Sequence, residues 1–127
     1  MKAVKPSDLE MQILSVLWER GDSTVREVLE AMPDGKKRAY TSILSVMQVM
    51  EKKRLLKHSN RGAAHVYKPA VNKKKIIQPF IQKVLNEVFG GKPSAMMQAL
   101  LTETSIDHDE MAQIKEVIKE ANIIKSE

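Results

Sequence analysis

Side chains able to make bonds or move protons are scattered through this 127-residue sequence, and few are spaced to converge. The possible nitrogen and sulfur ligands are three histidines, His58, His65 and His108, with no cysteine. His58 and His65 are spaced to face each other across a hairpin. Two imidazoles with no thiolate or nearby carboxylate make a poor metal site, so no metal is expected. His108 stands beside Asp109 and Glu110 and reads as a first-turn helix residue. Gly90-Gly91 lacks the spacing of a phosphate-cradling loop. No Ser/His/Asp set is suggested by position, so no catalytic residue and no cofactor is assigned, and an enzyme is not expected.

The chemistry that the spacing does support is hydrogen bonding from one helical face. In the stretch Lys36–Lys53, Thr41, Ser45, Gln48 and Lys52 recur at steps of 4, 3 and 4. Opposite them, Ile43, Val46, Met47 and Met50 form an apolar stripe. Short polar side chains with cations at both ends suit a helix lying in a DNA major groove. Thr41, Ser45 and Gln48 are the candidates for base edges. Lys36, Lys37, Arg38, Tyr40 and Lys52 are the candidates for phosphates. The plainer alternative is a surface helix with a solvated face.

The elements that must position this face are legible around it. Ser7 and Glu10 form a capping box for a first helix, whose stripe includes Leu9, Ile13, Val16 and Leu17 before Gly21 ends it. Asp22-Ser23 reads as an extended link. Thr24 and Glu27 form a second box opening a helix over Val25–Met32. Pro33-Asp34-Gly35 is a turn. Two helices, a turn and a third helix with a polar outer face make a helix-turn-helix. Ser59–Ala63 is polar and turn-like, and Val66 and Tyr67 favour a strand. The expected hairpin is a wing with Arg61 at its tip, where it would reach phosphate or the minor groove.

The second part is helical. Asn72 is a candidate cap, and Pro79 either kinks the following helix or restarts it. Phe80, Val84, Val88 and Phe89 lie in a broad apolar stripe ended by Gly90-Gly91. Pro93 suits the first position of a short helix carrying Met96, Met97, Leu100 and Leu101. Asp107 and Glu110 open a last helix, about His108–Ile124, with Met111, Ile114, Val117 and Ile118. These helices are too apolar for a solvated tail and too few for an independent core. Burial against a second copy of the chain is the simplest solution, with packing onto its own N-terminal domain as the alternative. A two-fold dimer would set two recognition helices one DNA turn apart on a palindromic site. The expected fold is mainly α: a winged helix-turn-helix domain over residues 1–71, then a three-helix dimerisation region over 72–127.

Composition agrees with this division. The net charge is +5, but residues 1–75 hold 16 Lys+Arg against 8 Asp+Glu, and residues 76–127 hold 5 against 8. A basic front module points to a polyanion partner. With 43% hydrophobic and 29% charged residues, the sequence can fold a core and stay soluble. No run of about 18 apolar residues occurs, so no membrane insertion is expected. Met1–Pro6 lacks the apolar segment of a secretory leader. Together with the absence of cysteine, this fits a cytoplasmic protein.

Several segments resemble the penicillinase-repressor family, the BlaI/MecI/CopY group of bacterial winged-helix repressors. They are Leu9-Glu10-Met11-Gln12-Ile13-Leu14-Ser15-Val16-Leu17-Trp18, Thr24-Val25-Arg26-Glu27-Val28, and Lys37-Arg38-Ala39-Tyr40-Thr41-Ser42-Ile43-Leu44. Val66-Tyr67-Lys68-Pro69 resembles the end of the family wing. Val88-Phe89-Gly90-Gly91-Lys92-Pro93-Ser94-Ala95 with Leu100-Leu101 resembles its dimerisation region. The similarity runs from about residue 7 to 120, and order and spacing make it specific. It implies a homodimer that binds an inverted-repeat operator on double-stranded DNA and represses transcription, in one branch of a β-lactam-response operon. In that branch a membrane-bound sensor-protease pathway leads to cleavage between Asn and Phe in the first dimerisation helix. Here Phe80 follows Pro79 and Phe89 follows Val88, so that site is absent. The Cys-x-Cys motifs of the copper branch are absent too. Two further departures stand out. Val49 replaces a frequent Arg near the end of the recognition helix. Arg54 replaces a frequent Gly just after it, where Arg would either bear a left-handed backbone at a cost of about 1 kcal/mol or end the helix differently. The rival readings are a winged-helix protein-interaction module and a general DNA-binding regulator without proteolytic induction.

Overall fold

The computed structural model describes residues 5–125; Met1–Val4, on which the expectation about a leader partly rests, and Ser126–Glu127, the end of the expected dimerisation region, lie outside the described residues. Its first helix, α1 (Asp8–Arg20), starts where the capping box requires. The Ser7 hydroxyl accepts from the Glu10 N–H at 3.2 Å, and the Glu10 carboxylate accepts from the Ser7 N–H at 2.9 Å. Gly21 ends the helix at φ 92, a conformation that side chains disfavour. The same reciprocal pair, Thr24 and Glu27, opens α2 (Val25–Glu30). This helix stops two residues before the sequence expectation. The Ala31 N–H turns to the Val28 carbonyl, and Pro33 disfavours a helical Met32.

The helix with the polar outer stripe is α3 (Tyr40–Lys52). It buries Ile43, Met47 and Met50 completely. Its end is a Schellman motif: the Leu55 N–H bonds the Met50 carbonyl at 2.9 Å and the Arg54 N–H bonds the Glu51 carbonyl at 3.0 Å. Arg54 takes the left-handed conformation at φ 66, as expected for a position where Gly is the easier residue. Leu55 and Met50, both wholly buried, close the motif from the apolar side.

Strands β1 (Leu56–Arg61) and β2 (Ala64–Pro69) pair antiparallel, from Leu56 opposite Pro69 to Arg61 opposite Ala64. Ser59, Asn60 and Arg61 are therefore strand rather than turn. The loop is only Gly62-Ala63, with a positive φ at Gly62 alone, which is what a two-residue II′ hairpin turn demands. The link before α2 gains a role: Ser23 bridges Tyr67 through backbone bonds of 3.0 and 2.8 Å. That bridge, the bond from the Ala70 N–H to the Leu55 carbonyl (2.8 Å) and the Trp18 Nε1–H bond to the Val71 carbonyl (3.3 Å) tie the hairpin to the helices. One core results, drawn from α1, α2, α3, Leu55, Leu56 and Tyr67. The fold is thus a winged helix-turn-helix followed by further helices.

The remaining helices are α4 (Lys73–Val88), α5 (Pro93–Glu103) and α6 (His108–Lys125). Pro79 lies inside α4, which continues through it without the hydrogen bond that a donor at this position would make. The chain divides into two compact units between Phe80 and Ile81. Asn72 and Asp107 cap as their positions suggest, accepting from the Lys75 and Glu110 N–H groups at 3.3 and 2.8 Å. In the second unit, no residue from Ile81 to Asn122 is buried.

Candidate nucleic-acid interface

The apolar stripe of α3 faces the core, which turns Thr41, Ser45, Gln48 and Lys52 outward, and all four are exposed. Ser42 and Val49 are exposed with them. At 1.5 Å per residue, Thr41 and Lys52 lie about 16 Å apart along the axis, the length of some five base steps. Ala39 provides no side-chain cap for α3. The segment before the helix is organised instead by Asp34. Its carboxylate accepts from Arg38 Nη1 and Nη2 at 2.9 and 2.6 Å and from the Lys36 N–H at 3.1 Å. The Arg38 guanidinium, with the Lys36 N–H, holds the Asp34 carboxyl well below the usual carboxylate range. The same pairing raises the pKa of Arg38.

The phosphate candidates therefore divide. Lys36 and Lys37 are exposed and make no ion pair among the described residues, whereas Arg38 is half-buried with two of its donors on Asp34. Tyr40 begins the helix with the Arg26 guanidinium 5.1 Å from its ring centre. Arg26 was not among the sequence candidates. Its signal was available, since buried Val25 and Val28 leave it on the outer face of α2. Arg61 is exposed at the end of β1, beside the loop.

Two side-chain contacts fix the far end of α3. Lys53 Nζ lies 2.9 Å from Glu10, linking the end of α3 to the first turn of α1. Burial pushes the Glu10 carboxyl up, but the Ser7 N–H and the Lys53 ammonium outweigh it, and its pKa falls below the ordinary value. The Glu51 carboxylate lies 2.7 and 2.8 Å from His58 Nδ1 and so joins α3 to β1. His58 also stacks on His65, with ring centres 4.2 Å apart and planes 13° from parallel. The two rings do meet across the hairpin, and the carboxylate that the sequence reading did not place beside them is Glu51. Parallel stacked rings do not aim their nitrogens at one point. Among the described residues, no group of three or more His, Asp or Glu side chains is arranged to hold a metal ion.

The second unit carries the other candidate residues. Val84, Val88, Met97, Leu100, Val117 and Ile118 are exposed, Val88 at 68% and Val117 at 65%. Phe80 at the end of the first unit, and Phe89, Met96, Leu101, Met111 and Ile114 in the second, are half-buried. Among the described residues, no helix is long and apolar enough to cross a membrane.

Three helices on one core, a two-stranded wing and an outward polar face on the third helix define the chain's first unit as a winged helix-turn-helix module. The penicillinase repressor family model matches residues 6–120, and the chain belongs to that family. A curated relative, the transcriptional regulator BlaI of Mycobacterium tuberculosis, is 32% identical over 77 residues in each of two strains. That match covers 60% of this chain and 56% of the relative, so the chain spans little more than half of the relative's length. A solution structure of the monomeric form of Bacillus licheniformis BlaI in complex with the blaP half-operator is also similar. It shares 23% identity, covers 57% of this chain and 89% of that one, and superposes with a TM-score of 0.49.

Proposed function

We propose that this protein is a sequence-specific DNA-binding transcriptional repressor that acts as a homodimer on an inverted-repeat operator in the cytoplasm. The observation that carries the reading is the outer face of α3. Thr41, Ser45 and Gln48 are exposed in a row, with Lys36 and Lys37 before them, Lys52 after them and Arg61 on the adjoining wing. In this reading the first three side chains meet base edges, and the cations with Tyr40 hold phosphates. Arg38 contributes mainly by fixing the loop that presents Lys36 and Lys37. Residues 1–71 bind DNA, and residues 72–127 dimerise through the apolar side chains of α4, α5 and α6. Family membership supports the assignment, as does a second unit with many apolar side chains and none buried through Asn122.

Control of a β-lactam-response operon is a narrower proposal. The absent Asn-Phe pair speaks against release by a sensor-protease cutting at the family's site. Release therefore uses another cut, a ligand or none. The DNA-binding proposal is tested by a mobility shift on promoter fragments at several salt concentrations. Wild type is expected to bind with a steep salt dependence. Lys37→Ala should lower affinity for all sequences alike and reduce the log–log salt slope by about 1. Absence of binding to any promoter fragment would favour a protein-interaction module.

A further inference from the structure

Among the described residues of the first unit, large apolar side chains are exposed at only two positions, Tyr40 at 39% and Val49 at 45%, and both are on α3. Tyr40 has Arg26 against its ring. Val49 is harder to explain as ordinary helix surface. A β-branched residue is a poorer helix former than the Gln, Lys or Ala usual on such a face. Its side chain is also directed away from the core made by Ile43, Met47 and Met50. Helical spacing sets it one turn beyond Ser45 and two beyond Ser42, beside Gln48 and Lys52. Every one of these neighbours is polar and exposed.

The major groove offers one apolar group on its base edges, the thymine C5-methyl. We propose that Val49 reads this methyl, packing its isopropyl group against a thymine in each half of the bound site. Its neighbours Ser45 and Gln48 bond the polar edges, where a cytosine differs from a thymine by donor against acceptor, and the methyl of Thr41 lies about 12 Å back along the axis, at a different base step. Val49 adds a second, apolar criterion at its own base step, and it discriminates by burying hydrocarbon that a cytosine cannot cover. The inference rests on α3 being the recognition helix, and it makes base choice at that step depend on a methyl group rather than on a hydrogen bond.

The test starts with wild-type protein selecting from a library of random duplexes. Each thymine of the selected site is then replaced in turn by deoxyuridine, which removes only the methyl. At one thymine per half-site, the replacement should weaken wild-type binding about fourfold, the effect expected for one buried methyl. The same replacement should leave Val49→Ala unchanged, because the variant has already lost the contact. Val49→Ala is a surface change to a better helix former, and circular dichroism checks that its fold is intact. If wild type enriches a site but every deoxyuridine effect is equal in wild type and variant, or the site contains no thymine, the Val49 inference fails alone. If wild type enriches no sequence, the recognition-helix reading fails and takes this inference with it.

Discussion

Both units of the chain carry apolar side chains at helical spacing, yet they use them differently. In the first, Ile13, Leu14, Ile43, Met47, Met50 and Leu55 are wholly buried, and reciprocal caps, a Schellman motif and a backbone bridge fix the elements around them. In the second, Val88, Leu100 and Val117 are more than half exposed, and nothing through Asn122 is buried. The first unit thus satisfies its own hydrophobic pattern, and its stability comes from its own core. The second presents apolar surface that lowers its free energy only when covered. On the function proposed above, that difference separates a module that presents a DNA-reading face from a region that assembles with a second copy.

Substitutions in either unit separate the two uses of apolar surface. Leu14→Ala, in the middle of the first core, should destabilise that unit by about 2–5 kcal/mol in denaturant unfolding, because a cavity adds to the lost transfer energy. A loss below 1 kcal/mol would mean that the core is not the source of stability. Leu100→Asp should act oppositely: little effect on the first unit, but a shift from dimer to monomer in sedimentation. It should also bring a loss of about tenfold or more on a palindromic site and little loss on a half-site. Wild type sedimenting as a monomer would remove the dimer proposal, and a variant that stays dimeric would remove Leu100 from the interface.

Smaller effects sharpen the account of the first unit. Arg54→Gly should stabilise it by about 1 kcal/mol, since only the left-handed backbone at that position is strained. Glu10 gives a pH dependence. Its folded pKa lies below the ordinary value of 4.5, so the unfolded chain binds its proton first as pH falls. Its contribution is complete above about pH 4.5 and lost as pH drops through the folded value. Lys53→Met should flatten the acid limb of a thermal-stability profile, and an identical limb in the variant would show that the pair contributes nothing there.

What was legible in the sequence was local. Ser7 with Glu10 and Thr24 with Glu27 mark helix starts through contacts three residues apart. The spacing of Ile43, Met47 and Met50 gives the buried face of α3, and therefore its outer face as well. At Arg54, just past a helix end where the family often has Gly, the left-handed backbone was one of two open outcomes, and it is the one found. What escaped depends on loop shape or distant partners. Asp34 captures Arg38 only because the turn folds back on itself. Glu51 meets His58, and Lys53 meets Glu10 across 43 positions, only when helices and wing are docked. Ser23 looked like a link because its pairing partner, Tyr67, is far along the chain. Ser59, Asn60 and Arg61 looked like turn because both faces of that part of β1 are exposed and carry no alternation. Of the interface, the stripe of Thr41, Ser45 and Gln48 could be read from spacing; Arg26 could be placed on the outer face of α2 by Val25 and Val28, but its position against Tyr40 could not.

If the outer face of α3 reads DNA sequence, its polar side chains set base selectivity. Affinities of wild type, Ser45→Ala and Gln48→Ala would be measured on a site selected by wild type and on a scrambled duplex of the same length and salt. Each substitution should lower the selected-to-scrambled ratio by about tenfold, a typical loss for one base contact, while binding to the scrambled duplex stays the same. An unchanged ratio in both variants would contradict that reading.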